Sequence, residues 1–106
     1  EDRSPETAKG LRLEAALALF RIAQEALNNA LKHAGAKNIR LEISKIENTI
    51  ALCVRDDGKG FDPANARRGR WGMSTMRERA EAAGGSLKVD SAPGEGTAVT
   101  ATVPLQ

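Results

Sequence analysis

Apolar residues recur at helical spacing from about Glu14 to Ala34. Leu17, Phe20, Ala23, Leu27, Ala30, Leu31 and Ala34 fall on one side, which predicts a long helix with that side on the core. Gly35 is placed to stop it, with Lys32 and His33 in its last turn. The period then changes to two. Ile39, Leu41 and Ile43 alternate with Arg40, Glu42 and Ser44, which predicts a half-buried strand. Glu47-Asn48 turns the chain into a second strand carrying Ile50, Leu52 and Val54, and the intervening Ala51 and Cys53 suggest burial on both faces. From Asp56 to Gly72 the pattern is lost in a glycine- and arginine-rich stretch. A loop of that length without its own structure is uncommon unless it is functional. A helix resumes at about Met73 and runs to Ala83, with Thr75-x-x-Glu78 resembling a capping box and Gly84-Gly85 ending it. Leu87 and Val89 mark a third strand, residues 92–96 a turn, and Val99, Ala101 and Val103 a closing strand. Two strand pairs separated by a helix predict one sheet with helices on one face.

Length and composition narrow the function classes. The chain has 106 residues, the size of one domain, with 41% hydrophobic and 28% charged residues, as globular domains have. Residues 1–10 are polar, contain Ser4-Pro5 and Gly10, and are expected to form a disordered leader; the domain proper is expected over 11–106. No apolar run approaches the roughly 20 residues of a membrane helix, so no membrane contact is expected of this domain. A cytoplasmic location is expected for it, with a longer parent chain free to be membrane-anchored. The single cysteine, Cys53, excludes an internal disulfide and a cysteine-based zinc site. A net charge of +2 and three aromatic residues (Phe20, Phe61 and Trp71) give neither the basic surface nor the stacking platform of a nucleic-acid binder.

Three stretches carry candidate chemistry. On the first helix Glu25, Asn29, Lys32 and His33 lie within about 100° of arc, with Arg21 beside them. Such a stripe usually faces solvent, but Asn28-Asn29 is poor helix chemistry, and an amide oxygen is a hard ligand suited to Mg²⁺. Asp56-Asp57-Gly58-Lys59-Gly60 follows a strand directly. Asp-Gly is a strong turn signal, so the stretch reads first as a tight turn; the other reading is a carboxylate facing a pocket, where it would accept from an amino group while the glycines admit a flat ligand. The basic stretch 67–72 precedes a helix start, which favours anions, and is also consistent with a plain solvated loop. Gly94-Glu95-Gly96-Thr97 reads as a hairpin turn. No Walker loop and no Gly-x-Gly-x-x-Gly after a strand is present.

Taken together these stretches resemble the ATP-binding catalytic domain of sensor histidine kinases, within the superfamily that includes gyrase, mismatch-repair and heat-shock chaperone ATPases. FRIAQEALNNALKHAGA resembles the N box, VRDDGKGFD the first glycine box, and GRWGMSTMRERAEAAGGSLKVDSAPGEGTAVTATVPL the later glycine boxes and closing hairpin. The likeness extends to the subfamily paired with nitrate- and desiccation-type regulators that carry helix-turn-helix output domains. It runs from about Leu13 to Leu105.

The resemblance implies an α/β two-layer sandwich of the Bergerat type, with a mixed, mainly antiparallel sheet. It also implies a bound Mg-ATP. Asn29 would coordinate Mg²⁺, assisted by Glu25, which would handle metal, water or proton. Lys32 and His33 would approach the phosphates. Asp56 would read the adenine amino group, with Gly58 and Gly60 beside the base. Residues 62–72 would form a mobile lid. Gly72 and Met73 would offer backbone N–H groups to phosphate, and Gly94, Gly96 and Thr97 would form the last glycine box near adenine.

The family's phospho-accepting His sits on a separate helical dimerisation domain and is followed by an acidic residue. Here His33 is preceded by Lys32 and followed by Ala34, so the acceptor must come from elsewhere and autophosphorylation of this chain alone is not expected. The response regulator is then an indirect partner. A regulatory module that holds nucleotide without transferring phosphate is the alternative. Complete domains of this type open with an extra strand, which Glu1–Gly10 does not resemble, so one sheet edge is expected to be bare.

Overall fold

A computed structural model of the chain describes residues 11–60 and 73–105. The first helix, α1, spans Leu13–Asn28 and continues without a break into a wider π-helical turn, Asn29–His33. Two strands follow, β1 (Ile39–Ile46) and β2 (Thr49–Asp56), then α2 (Met73–Ala82), β3 (Ser86–Ser91) and β4 (Thr97–Pro104). Among the described residues the sheet has four strands in the order β1-β2-β4-β3, and all three pairings are antiparallel. Both helices lie on one face, α1 over β2 and β4 and α2 over β3 and β4, in contact with each other. The two-layer arrangement is the expected one. The leader expected over 1–10 and the lid expected over 62–72 lie outside the described residues.

The core sits between the layers. Ile50, Leu52 and Val54 of β2 and Val99, Ala101 and Val103 of β4 meet Ala15, Leu19, Ile22 and Ala26 of α1 and Met76, Ala80 and Ala83 at α2. Full burial of each large side chain contributes about 1.5–3 kcal/mol. Cys53 and Ala51, on the opposite face of β2, are only half-buried, so burial there is one-sided. Gly84, at φ +84°, ends α2, where the N–H groups of Gly84 and Gly85 donate to the carbonyls of Glu81 and Ala80. The capping-box reading of Thr75 fails because the helix already begins at Met73, which places Thr75 inside the first turn.

Two further expectations are corrected. The side of α1 expected on the core is largely the wrong one: Leu17, Phe20 and Leu31 are more than half exposed, while Ala23 and Leu27 are half-buried and Ala30 is buried. The helix is apolar over a wide arc, and the expected side overlaps the buried one only at Ala23, Leu27 and Ala30. The sheet takes the side bearing Ala15, Ala26 and Ala30, whose small side chains let the helix approach, with Leu19 and Ile22 between them. Strand β1 is an exposed edge, not half-buried. Leu41 and Ile43 share the face of Leu52 and Val54, yet both are exposed because neither helix covers them.

Candidate functional site

The polar end of the sheet is built by register. Asp56 closes β2, Thr97 opens β4 opposite it, and Ser91 closes β3 opposite Thr97. By strand alternation the three share the helix-facing side with the buried pair Val54 and Val99, one row further in. A polar row therefore borders an apolar floor. A cavity of about 390 Å³ opens here, with Asp56, Ser91, Gly96 and Thr97 in its wall together with Arg55 and Asp90.

Glycines allow the surrounding loops to interlock. The Gly58 N–H donates to Asp56 Oδ1 at 2.8 Å, which holds the carboxylate in a local turn. A Cβ on Gly58 would stand 2.5 Å from Ala34 Cβ and 2.9 Å from Asp56 Oδ1. Gly60 and Gly96 have φ of +63° and +76°; a Cβ on Gly60 would overlap the Ala92 carbonyl and one on Gly96 the Asp56 carbonyl. Main-chain bonds complete the join. Lys59 N–H donates to the Ala34 carbonyl at 3.0 Å and Gly94 N–H to the Lys59 carbonyl at 2.6 Å. Gly94 itself, at φ +79°, has open space around it.

Asp57 has a different task from Asp56. Its Oδ1 accepts the N–H groups of Lys37 and Asn38 at 2.8 and 2.9 Å, and its Oδ2 accepts the Asn38 side-chain amide at 2.8 Å. These donors, the Asn38 backbone foremost and its amide next, lower the Asp57 pKa from 3.8 to about 2. It clamps the loop after the helix to the end of β2. Nothing in the sequence pattern separates this role from that of its neighbour.

The helix contributes the other half. Asn29, 8% exposed, is the buried polar residue among those described, and it opens the π-helical turn. Such turns are frequent at functional sites. Glu25, one turn earlier, is half-buried; Lys32 and His33 are exposed in the turn's last residues. Glu25 also lines a second cavity of about 220 Å³ between the helices, together with Arg21, Gln24, Asn28, Thr75, Met76 and Arg79. Met73 is the first residue of α2, and Gly72 lies outside the described residues. The expected site residues are thus divided. Asp56, Gly58, Gly60, Gly96 and Thr97 gather at the sheet end, and Gly58 touches the residue that caps the Asn29–His33 turn. Ser91 is an addition that sequence reasoning missed. It acquires its place through register.

The donor set fits a magnesium-bound phosphate. Asn29 would offer an amide oxygen and Glu25 a carboxylate, the hard oxygens Mg²⁺ takes. Among the described residues no three His, Cys, Asp or Glu side chains cluster as a cage. Mg²⁺ ordinarily takes only one or two protein ligands and completes its shell with phosphate and water. No helix of the described residues is long and apolar enough to cross a membrane.

Residues 14–106 match the family described as histidine kinase-, DNA gyrase B-, and HSP90-like ATPase. A sensor-like histidine kinase of Chloroflexus aurantiacus is 39% identical over 95 residues, covering 84% of this chain and 16% of that protein. The signal transduction histidine-protein kinase/phosphatase DegS of Bacillus subtilis is 38% identical over 92 residues, covering 84% of this chain and 24% of that protein. The chain thus spans a quarter or less of the length of these relatives. Among solved structures, the histidine kinase domain of the blue-light activated kinase of Erythrobacter litoralis superposes with a TM-score of 0.73 at 28% identity, over 87% of this chain and 45% of that one. The ATP binding domain of PrrB from Mycobacterium tuberculosis gives 0.73 at 20% identity, over 85% of this chain and 68% of that one, a likeness of fold alone. With the N-box helix, the glycine-locked loops and this match over nearly its whole length, the chain belongs to the histidine kinase-, gyrase B- and HSP90-like ATPase family.

Proposed function

We propose that this chain is the ATP-binding catalytic domain of a sensor histidine kinase, one that binds Mg-ATP and, in its parent protein, donates the γ-phosphoryl group to a histidine on a separate helical dimerisation domain. The observation that carries this is the register row Asp56–Thr97–Ser91, bordering the apolar core and joined through Gly58 to the turn that begins with Asn29. Asp56 accepts from the adenine amino group, Thr97 stands beside it, and Gly58 and Gly60 let the base approach the backbone. Asn29 and Glu25 hold Mg²⁺, which when bound neutralises charge on the phosphates. Lys32 and His33 approach the phosphates, which also take backbone N–H groups of Gly72 and Met73. The acceptor imidazole attacks the γ-phosphorus, a P–N bond forms as the bond to the bridging oxygen breaks, and ADP leaves. These residues act by positioning and by charge, which is most of what phosphoryl transfer asks of a protein.

A cytoplasmic location follows for a domain that uses ATP, and a response regulator, one with a helix-turn-helix output domain in this subfamily, takes the phosphoryl group next. Mixing the chain with a helical dimerisation domain and γ-labelled ATP tests the proposal. Acid-labile label on histidine is expected. Binding of ATP with no label on any histidine supports the alternative, a nucleotide-holding regulatory module.

A further inference from the structure

Ser91 is half-buried at the end of β3, directly opposite Thr97. Its Oγ lies 2.9 Å from the Gly96 carbonyl oxygen and 2.9 Å from Thr97 Oγ1. A hydroxyl has one hydrogen to give. The carbonyl can only accept, so the Ser91 hydrogen goes to Gly96. The Ser91–Thr97 bond must then use the Thr97 hydrogen. Thr97 is left presenting lone pairs alone to the cavity it shares with Asp56. Asp56 has one oxygen on the Gly58 N–H and is likewise an acceptor. The polar row that meets the base is therefore all acceptor, and one serine sets that polarity for Thr97.

We infer that Ser91 is a positioning residue that fixes the direction of the Thr97 hydroxyl and so makes the site select a 6-amino purine over a 6-oxo purine. The inference rests on the ATP reading above. A 6-amino group brings two N–H donors to acceptors. A 6-oxo group brings lone pairs to lone pairs, and a buried polar group without a partner is costly. Without Ser91 the Thr97 hydrogen can turn toward the ligand and serve a 6-oxo oxygen.

The test is the ratio of ATP to inosine triphosphate affinity, which differ in the group at position 6 and in the proton on N1, measured by calorimetry on the full chain at fixed Mg²⁺ and salt. The parent is expected to prefer ATP at least tenfold. Ser91→Ala is expected to compress that ratio about tenfold, with part of the change a gain in inosine triphosphate binding. Ser91→Thr is expected to keep the parent ratio. Ser91→Cys, close in shape and a weak donor, is expected to fall between, and it carries the test if Ser91→Ala does not fold. In a Thr97→Val background, Ser91→Ala should leave the ratio unmoved. A Ser91→Ala protein that weakens both nucleotides equally, with the ratio intact, has lost only packing and overturns the inference while leaving the ATP reading standing. A parent that binds neither nucleotide overturns both.

Discussion

Asp56→Asn separates the chemistry of the site from its construction. Asp56 Oδ1 receives the Gly58 N–H at 2.8 Å. In the variant that N–H demands an acceptor, so the amide oxygen takes the place of Oδ1 and the turn survives. The NH₂ group is then forced into the place of Oδ2, where it meets the adenine amino group donor to donor. The loss has two parts. A hydrogen bond to a charged group is worth about 1.5–3 kcal/mol, and leaving a buried donor unpaired costs about 1–3 kcal/mol. Together they come to roughly 2.5–6 kcal/mol, about seventy- to more than ten-thousand-fold weaker ATP binding. Calorimetric titration with ATP at fixed Mg²⁺ and salt measures it, and circular-dichroism melting checks that the fold is kept within a few degrees. A folded Asp56→Asn protein that binds ATP within threefold of the parent, or treats ATP and GTP just as the parent does, would refute the assignment of Asp56 to the adenine amine.

Three further outcomes are expected. Ile22→Ala, at a fully buried position, should cost about 2–5 kcal/mol in thermal or urea unfolding, whereas Phe20→Ala, on the exposed side of α1, should cost well under that; equal losses would mean the helix is turned the other way. Gly96→Ala should cost more than Gly94→Ala, because both incur the left-handed penalty of about 1–2 kcal/mol but only at Gly96 does the new Cβ overlap the Asp56 carbonyl; unfolding and ATP titration of the pair isolate that contact. The Asp57 clamp sets a pH dependence. Its folded pKa, lowered to about 2, lies below the ordinary 3.8, so its stabilisation is fully present above about pH 4 and is lost as the pH falls from there through about 2. Melting temperatures across that window should fall more steeply for the parent than for Asp57→Asn, and parallel slopes would show that the clamp does not hold.

The order and extent of the elements were largely legible, because glycines punctuate them and the period changes from 3.6 to 2 at Ile39. Met73–Ala82 and the closing hairpin fall where the pattern puts them. What hydropathy could not say is which part of the wide apolar arc of α1 the sheet would take. The bulkier side looked better, but close approach to the sheet favoured the alanines. Alternation in β1 marked an apolar face correctly and was silent on whether anything covers it. Of the site, the N box and the glycine boxes were visible as local clusters. Ser91 was not, since a serine in a strand means nothing until register sets it against Thr97, 6 residues on.

The π-helical turn is joined to the end of the sheet through backbone contacts. Asn29 opens the wider turn and is buried; its carbonyl accepts the Ala34 N–H at 2.9 Å, while Ala36 N–H reaches back to the Ala30 carbonyl at 3.0 Å. That closure presents the Ala34 carbonyl outward, where the Lys59 N–H takes it, and brings Ala34 Cβ against the space that only a glycine at 58 leaves open. Gly58 in turn holds the Asp56 carboxylate. The residue proposed for the metal and the residue proposed for the base are therefore tied by one short run of backbone contacts. A change that straightens the turn should disturb Asp56 as well as Asn29, whereas a change to the Asp56 side chain that spares its bond to Gly58 should leave the turn intact.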